Sequence, residues 1–254
     1  MADNLLRLFL RHTLAQWLPR GISYPVVRGP LKGFRFILGS AAGEGRGSSV
    51  YLNLAEPEQT KRLCEMLHPG QVFFDIGANV GYYTLLGSKL VGANGKVLAF
   101  EPVVRNLYFL YRHTVLNKIG NVMIVPAACS NQLAIGNFSL GVNCSLGHLD
   151  MNDDSDNRRS STNVVVPIIT VDGLVRSTNI LPNVLKIDVE GEELRVLEGA
   201  RDTLRKANPL IFLSVHSAEL RTDCQKYLAE INYVFEPLSG DDNHGPGELL
   251  AVKV

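Results

Sequence analysis

Charge of one sign is what this chain most clearly lacks. Its 25 Lys and Arg are balanced by 25 Asp and Glu. The basic excess that a nucleic-acid binder needs for phosphate contacts is missing. Cysteine is sparse and scattered. Cys64, Cys129, Cys144 and Cys224 include no C-x-x-C pair. They read as reduced thiols in a cytoplasmic protein, not as a disulfide frame or a zinc site. No apolar run approaches the length of a membrane span, and no internal repeat is visible. What remains, 254 residues at 46% hydrophobic and 20% charged, suits one α/β domain with a sizeable core.

The G-x-G-x-x-G fingerprint of a dinucleotide site is also absent. In its place stands Val72-Phe73-Phe74-Asp75-Ile76-Gly77-Ala78-Asn79-Val80-Gly81-Tyr82, followed by a helical pattern. An apolar run, an acid, a glycine turn and a helix start describe the carboxyl end of a strand, where open α/β sheets bind ligands. Asn79 occupies the position where a second glycine would let bare backbone approach a pyrophosphate. Asp75 adds negative charge nearby. Both features disfavour a phosphate and suit a cationic or hydroxyl-bearing ligand. One strand later, the apolar run 96–100 ends in Glu101-Pro102. A carboxylate there can accept both hydroxyls of a ribose, which marks a nucleoside without saying which one.

The rest of the chain frames these motifs. Residues 5–18 carry Leu5, Leu6, Leu8, Phe9, Leu10, Leu14, Trp17 and Leu18, interrupted by Arg7, Arg11 and His12. This is an amphipathic helix, too charged for a signal sequence. It suits packing on the domain or in a homodimer, and alternatively peripheral membrane contact. Runs at 33–38 and 49–54 bracket Gly43, Gly45 and Gly47 and predict a small β-hairpin or extended cover. A helix follows at about 56–67. From residue 71, strands at 71–75, 96–100 and 122–127 alternate with helices at 81–90 and about 103–116. The alternation breaks at 131–171, where runs at 137–140 and 164–168 predict a hairpin excursion. The polar run 150–161 between them reads as a loop, without the spacing of an EF-hand, and is a candidate lid. Strands at 184–189 and 210–215, helices at 192–206 and 219–231, and closing strands at 233–235 and 248–253 complete the pattern. The expected architecture is α/β: a mostly parallel seven-stranded sheet with helices on both faces. A small helix and hairpin extension spans 1–70, and the main domain spans 71–254 with an insertion at about 131–171.

Polar residues at the strand ends converge on one edge of such a sheet. They are Asp75 and Asn79, Glu101, Ser130, Asp188 and Glu190, and His216. Lys186, Asp188 and Glu190 alternate with Leu185, Ile187 and Val189, so Lys186 is expected to pair with one of the acids.

The stretch Leu185-Lys186-Ile187-Asp188-Val189-Glu190-Gly191-Glu192-Glu193-Leu194, with D-x-G-x-N-x-G and F-E-P before it, resembles the FkbM-type methyltransferases. The resemblance covers about 71–216. It implies a Rossmann-like class I methyltransferase fold, S-adenosylmethionine as methyl donor, and O-methylation of a sugar, polyketide or related metabolite. It implies that Asp75, Gly77, Ala78, Asn79, Gly81, Tyr82 and Glu101 hold the cofactor, with Ala128 and Ser130 near the adenine. The acceptor is then a small-molecule or glycan hydroxyl.

A hydroxyl is a poor nucleophile until it sheds or shares its proton, so a base is expected beside it. Asp188, Glu190 and His216 are the candidates by position, with Lys186 in the same catalytic set. Asp188 and Glu190 could supply two metal ligands, but no third stands at a telling spacing, so no metal is assigned. Bases are usually N-methylated with an Asp/Asn-Pro-Pro-aromatic segment. Asp188-Val189-Glu190-Gly191 stands there instead, so a nucleic-acid acceptor is not expected. Two rival readings are a cofactor-binding scaffold without catalysis and an NAD-dependent oxidoreductase. Asn79 disfavours the second.

Overall fold

The computed structural model describes residues 18–41, 49–139, 148–150, 163–238 and 245–254. Two short strands, β1 (Ser23–Pro25) and β2 (Arg35–Ile37), pair antiparallel. One helical turn, α1 (Ser49–Leu52), and helix α2 (Pro57–Met66) follow. The alternating part begins with β3 (Val72–Ile76), α3 (Tyr82–Val91), β4 (Lys96–Phe100), α4 (Val104–Leu116) and β5 (Val122–Val125). An excursion holds β6 (Ala128–Cys129), β7 (Ala134–Ser139), β8 (His148–Asp150) and β9 (Asn163–Ile169). The chain then runs through α5 (Val171–Thr178), β10 (Val184–Ile187), α6 (Glu193–Glu198) and α7 (Arg201–Ala207). It ends with β11 (Leu210–Val215), α8 (Ala218–Ala229), β12 (Tyr233–Pro237) and β13 (Gly247–Lys253).

Seven strands form the main sheet in the order β12-β13-β11-β10-β3-β4-β5. The five strands from β11 to β5 are mutually parallel, and β13 runs antiparallel to both β11 and β12. Alternation along each strand covers both faces. Phe74, Ile76, Leu98, Phe100, Leu185, Ile187, Ile211 and Leu213 pack in one cluster. Their neighbours Phe73, Val97, Val184 and Phe212 pack in another, with α3 and α2 side chains. Side chains of successive residues point to opposite faces, so a sheet buried on both reads as continuous apolar runs. Each such fully buried side chain contributes roughly 1.5–3 kcal/mol of transfer free energy.

Four local expectations are corrected. Residues 49–54 are not a strand; β2 pairs with 23–25 instead. The turn α1 buries Val50 and lets the Tyr51 hydroxyl donate to the Phe36 carbonyl (2.9 Å), contacts an extended strand would have lost. The helix expected at 192–206 is two helices. A Cβ at Gly199 would stand 2.1 Å from the Ser130 carbonyl, so the chain end of β6 packs into the break. Helix α5 escaped the periodicity because it is short. Thr170 caps it, accepting the Gly173 amide at 2.9 Å, while Asp172 accepts the amides of Asp202 and Thr203 and so caps α7. The excursion is larger than a hairpin: β6-β9-β7-β8 form a second sheet.

The amphipathic segment before Leu18, the glycines at 43–47, Cys144 and residues 151–161 of the polar run lie outside the described residues. Among the described residues, Cys64, Cys129 and Cys224 are free. No helix among them is long and apolar enough to cross a membrane.

His113 fastens the hairpin to the sheet. Its Nε2 accepts the Ile37 amide at 3.0 Å, so Nδ1 carries the proton and donates to the Val80 carbonyl at 2.7 Å. The ring is fully buried, and that burial pulls its pKa down to about 4.

Candidate active site

The glycine turn is built by its own backbone. The amides of Gly77 and Ala78 both donate to the Phe100 carbonyl, at 3.0 and 2.9 Å. Asn79 adopts φ 50°, a left-handed conformation that asparagine tolerates better than most residues. That explains why the second glycine is dispensable here. The Asn79 amide donates to Glu101 Oε2 at 2.8 Å. Glu101 Oε1 accepts the Val103 amide at 2.8 Å and Asn106 Nδ2 at 3.3 Å. One buried carboxylate thus fixes the turn after β3 to the end of β4. Burial pushes the Glu101 carboxyl up to about 7, against the pull of those donors.

Asp75 is the next-to-last residue of β3 and is almost wholly buried. Its Oδ2 accepts the Thr84 hydroxyl at 2.6 Å, and its Oδ1 has no partner in the structure. Burial raises its pKa, with the Lys186 charge opposing. The buried Asn79 Oδ1 is likewise unpartnered. Unsatisfied buried acceptors are costly, so two beside one glycine turn suit a ligand that donates hydrogen bonds or carries positive charge. S-adenosylmethionine, with an ammonium, a sulfonium and ribose hydroxyls, fits that donor demand. Gly81 packs on Leu110 and leads into α3. Tyr82 does not stand free in the turn: its hydroxyl is 3.2 Å from that of Thr60 on α2. Ala128 packs with Val103, next to Glu101. Ser130 lies farther along. It is fully buried, donating its amide to Ile169 and its hydroxyl to Glu192 (3.3 Å).

The strand ends β10 and β11 bring the candidate acid–base residues together. Lys186 is buried beside Asp75 in register, and its Nζ donates to Asp188 Oδ2 at 2.9 Å. That ammonium also lies 4.7 Å from the centre of the Tyr83 ring. Burial disfavours its charge, but Asp188, Glu56 and Asp75 outweigh this and hold it protonated well above the usual lysine range. Burial pushes Asp188 up, and Lys186 more than offsets it, so its carboxyl sits below the usual range. Glu190 adopts φ 55° and is followed by Gly191 at φ 110°. This left-handed pair turns the chain back, and Glu190 Oε2 comes to 3.3 Å from His216 Nε2. Asp188 Oδ1 is 3.6 Å from the same nitrogen. Burial raises Glu190 above the ordinary carboxylate range, with His216 opposing.

Glu193 was not singled out by the sequence reading, yet it organises the cluster. Its side chain is fully buried at the first turn of α6. Oε1 accepts His216 Nδ1 at 2.8 Å, and the Gly191 amide donates to both oxygens at 3.2 Å. An acid in a first helical turn beside free amides was the available signal. The Glu193 hydrogen bond is the largest influence on His216. With Glu190 and Asp188 it pushes the imidazole up to about 9, against burial. Near neutrality His216 is therefore an imidazolium held among three carboxylates.

The extension before β3 supplies further groups. Glu56 Oε2 accepts the Tyr83 hydroxyl at 2.7 Å and Gln59 Nε2 at 2.8 Å. Burial, with Glu56 adding, raises Glu248 at the start of β13 to about 7. The Asp188 carbonyl packs directly on Gly77. The carboxylate–imidazole cluster and the glycine turn after β3 are thus contiguous.

Comparison with known proteins gives the family and the fold. The methyltransferase FkbM domain matches residues 75–236. The chain is 27% identical over 182 residues to the hexuronic acid methyltransferase AglP of Haloferax volcanii, covering 69% of this chain and 68% of that one. Its fold is similar to methyltransferase FkbM from Methylobacillus flagellatus KT, with TM-score 0.52 and 16% identity. That match covers 98% of this chain, which spans only 60% of the length of the solved one. It is also similar to precorrin-6y C5,15-methyltransferase from Geobacter metallireducens GS-15, with TM-score 0.51, 16% identity, and 78% and 88% coverage. The main sheet is that of a class I methyltransferase, and its cofactor is S-adenosylmethionine. The chain belongs to the FkbM methyltransferase family.

Proposed function

We propose that this protein methylates a hydroxyl of a sugar-type acceptor at the cluster of Asp188, Glu190 and His216. One observation carries the reading. The backbone of Asp188 packs on Gly77, so the Asp188, Glu190 and His216 cluster borders the glycine turn, where the cofactor would bind. The hexuronic acid methyltransferase relative supports a sugar acceptor.

Glu101 and Asn79 would hold the nucleoside, and Asp75 the cationic amino-acid end. Bound there, S-adenosylmethionine supplies an electrophilic methyl group. The chain's own residues prepare the acceptor. His216, as an imidazolium, donates from Nε2 and orients whatever oxygen enters. Asp188 is tied to Lys186, which keeps it ionised and a weak base. Glu190 has the higher proton affinity of the two and makes no direct bond to Lys186, whose charge acts on it only weakly, so it takes the hydroxyl proton. Lys186 acts through Asp188 as a positioning residue.

The test is methyl transfer from labelled S-adenosylmethionine to a panel of glycosides, uronic acids included. Glu190→Gln should abolish transfer while S-adenosylhomocysteine still binds. Transfer at the wild-type rate by Glu190→Gln would remove Glu190 from its role.

A further inference from the structure

We propose that Asp188, Glu190 and His216 are also the ligands of one divalent cation of the Mn2+ or Zn2+ type, on the acceptor side of the cofactor turn. The purpose given to the ion rests on the hydroxyl-methylation reading; the site itself is read from its donors.

The three side chains come from two strand ends, and their ligand atoms all lie within 4.8 Å of one another. His216 Nε2 is 3.3 Å from Glu190 Oε2 and 3.6 Å from Asp188 Oδ1. Atoms bound about 2.0–2.2 Å from one ion at tetrahedral or octahedral angles stand roughly 3.0–3.6 Å apart. Both His216 distances already fall in that range, and the two carboxylates, within 4.8 Å of each other, need only a side-chain adjustment to close on a metal.

Support around the ligands distinguishes this cluster from a patch of surface acids. Metal-binding histidines characteristically donate their second ring nitrogen to a carboxylate, which fixes the tautomer and aims the free lone pair. Glu193 performs that service. It is fully buried, accepts from His216 Nδ1 at 2.8 Å, and is held in turn by the Gly191 amide. Nε2 is left as the nitrogen that faces both ligand carboxylates; an entering ion displaces its proton to solvent, so the orienting role of the imidazolium belongs to the metal-free protein. Asp188 is oriented in the same way: Lys186 takes Oδ2 at 2.9 Å and leaves Oδ1 towards His216. Two of the three ligands thus have buried partners on their far side. Two carboxylates give the site a formal charge that matches a divalent ion. One imidazole nitrogen among the donors favours Mn2+ or Zn2+ over Mg2+ or Ca2+.

An ion here would coordinate the acceptor hydroxyl and make its proton easier to lose. Glu190 needs only Oε2 to bind the metal. Its Oε1 remains to receive that proton, so the O–H bond breaks to Glu190 and the oxygen stays on the ion. Acceptors with vicinal oxygens, such as the adjacent hydroxyls of a pyranose, would chelate best.

The experiment uses the full chain, stripped with chelator and titrated with Mn2+ alone, then with Zn2+ in competition. Free Mn2+ is followed by electron paramagnetic resonance. One equivalent should bind. Glu190→Gln and His216→Asn should each weaken binding at least tenfold. Glu193→Gln, which keeps all three ligands, should weaken it about ten- to a hundredfold through loss of positioning. Zn2+ should displace the Mn2+. Absence of stoichiometric binding, or binding unchanged in the ligand variants, overturns the site. S-adenosylhomocysteine calorimetry on the same samples separates the two ideas. Retained cofactor binding without metal binding removes only the metal, whereas loss of cofactor binding in the wild-type protein removes the transfer reading.

Discussion

The carbonyl oxygen of Asp188 stands 1.8 Å from where a Cβ on Gly77 would be. A side chain at that position cannot coexist with the present path of the chain after β10. The φ of 84° at Gly77 adds a conformational cost for any other residue. Gly77→Ala should therefore lower stability by about 1–3 kcal/mol or more. It should also separate the cofactor turn from the acid–base cluster. Thermal unfolding measures the first effect, and S-adenosylhomocysteine calorimetry measures the second. Wild-type values for both would show that the Asp188 backbone moves aside freely.

Glu101 ties Asn79 to Val103 through its two oxygens. Glu101→Ala removes the anchor of the turn and, on the proposed reading, the acceptor for the ribose hydroxyls. Affinity for S-adenosylhomocysteine should fall at least tenfold, equivalent to about 1.4 kcal/mol. Unchanged affinity, measured by calorimetry, would mean that the nucleoside binds elsewhere.

Acid should destabilise the fold through His113. The imidazole is neutral in the folded protein down to about pH 4, whereas the unfolded chain takes up a proton near the ordinary value of 6.5. Between those values the unfolded state binds more protons, so stability is full above about pH 6.5 and falls as pH drops towards 4. Urea unfolding at several pH values reads the slope. His113→Phe loses the bonds to Ile37 and Val80, so it should be less stable at neutral pH, with a shallower acid slope. An identical slope would assign the acid sensitivity to other groups.

Gly199 makes a close approach of a different kind. Its missing side chain admits the Ser130 carbonyl, 2.1 Å from an ideal Cβ. Gly199→Ala should favour the continuous helix that periodicity alone suggests, and push β6 away. The expected result is a lower melting temperature with the far-ultraviolet circular dichroism nearly unchanged. A raised melting temperature would show that helix propensity outweighs the contact.

Much of this was legible in the chain. Apolar runs ending in Asp75, Glu101 and Asp188 announced strands with polar ends, because a doubly covered sheet leaves its polar residues at the edge. Asp188, Glu190 and His216 were legible as strand-end positions, but not the closeness of His216 to both carboxylates. No spacing in sequence encodes the turn that Glu190 and Gly191 make. Glu193 was hidden for a related reason: a helix N-terminus full of acids does not reveal which acid is buried. Hairpin pairing failed at 49–54 because Val50 and Leu52 alternate as a strand would, while burial against Phe36 selects a single helical turn. Gly199 looked tolerable within a helix until Ser130, 69 positions earlier in the chain, was seen to need the space.

The most direct measurement compares methyl transfer by the wild-type protein and Glu190→Gln, at saturating labelled S-adenosylmethionine, across a glycoside panel. The site of the label is read by nuclear magnetic resonance. The account predicts an O-methyl product from the wild-type protein and none from the variant, with S-adenosylhomocysteine binding intact in both. Label on nitrogen or carbon, or equal transfer by the two proteins, would contradict it.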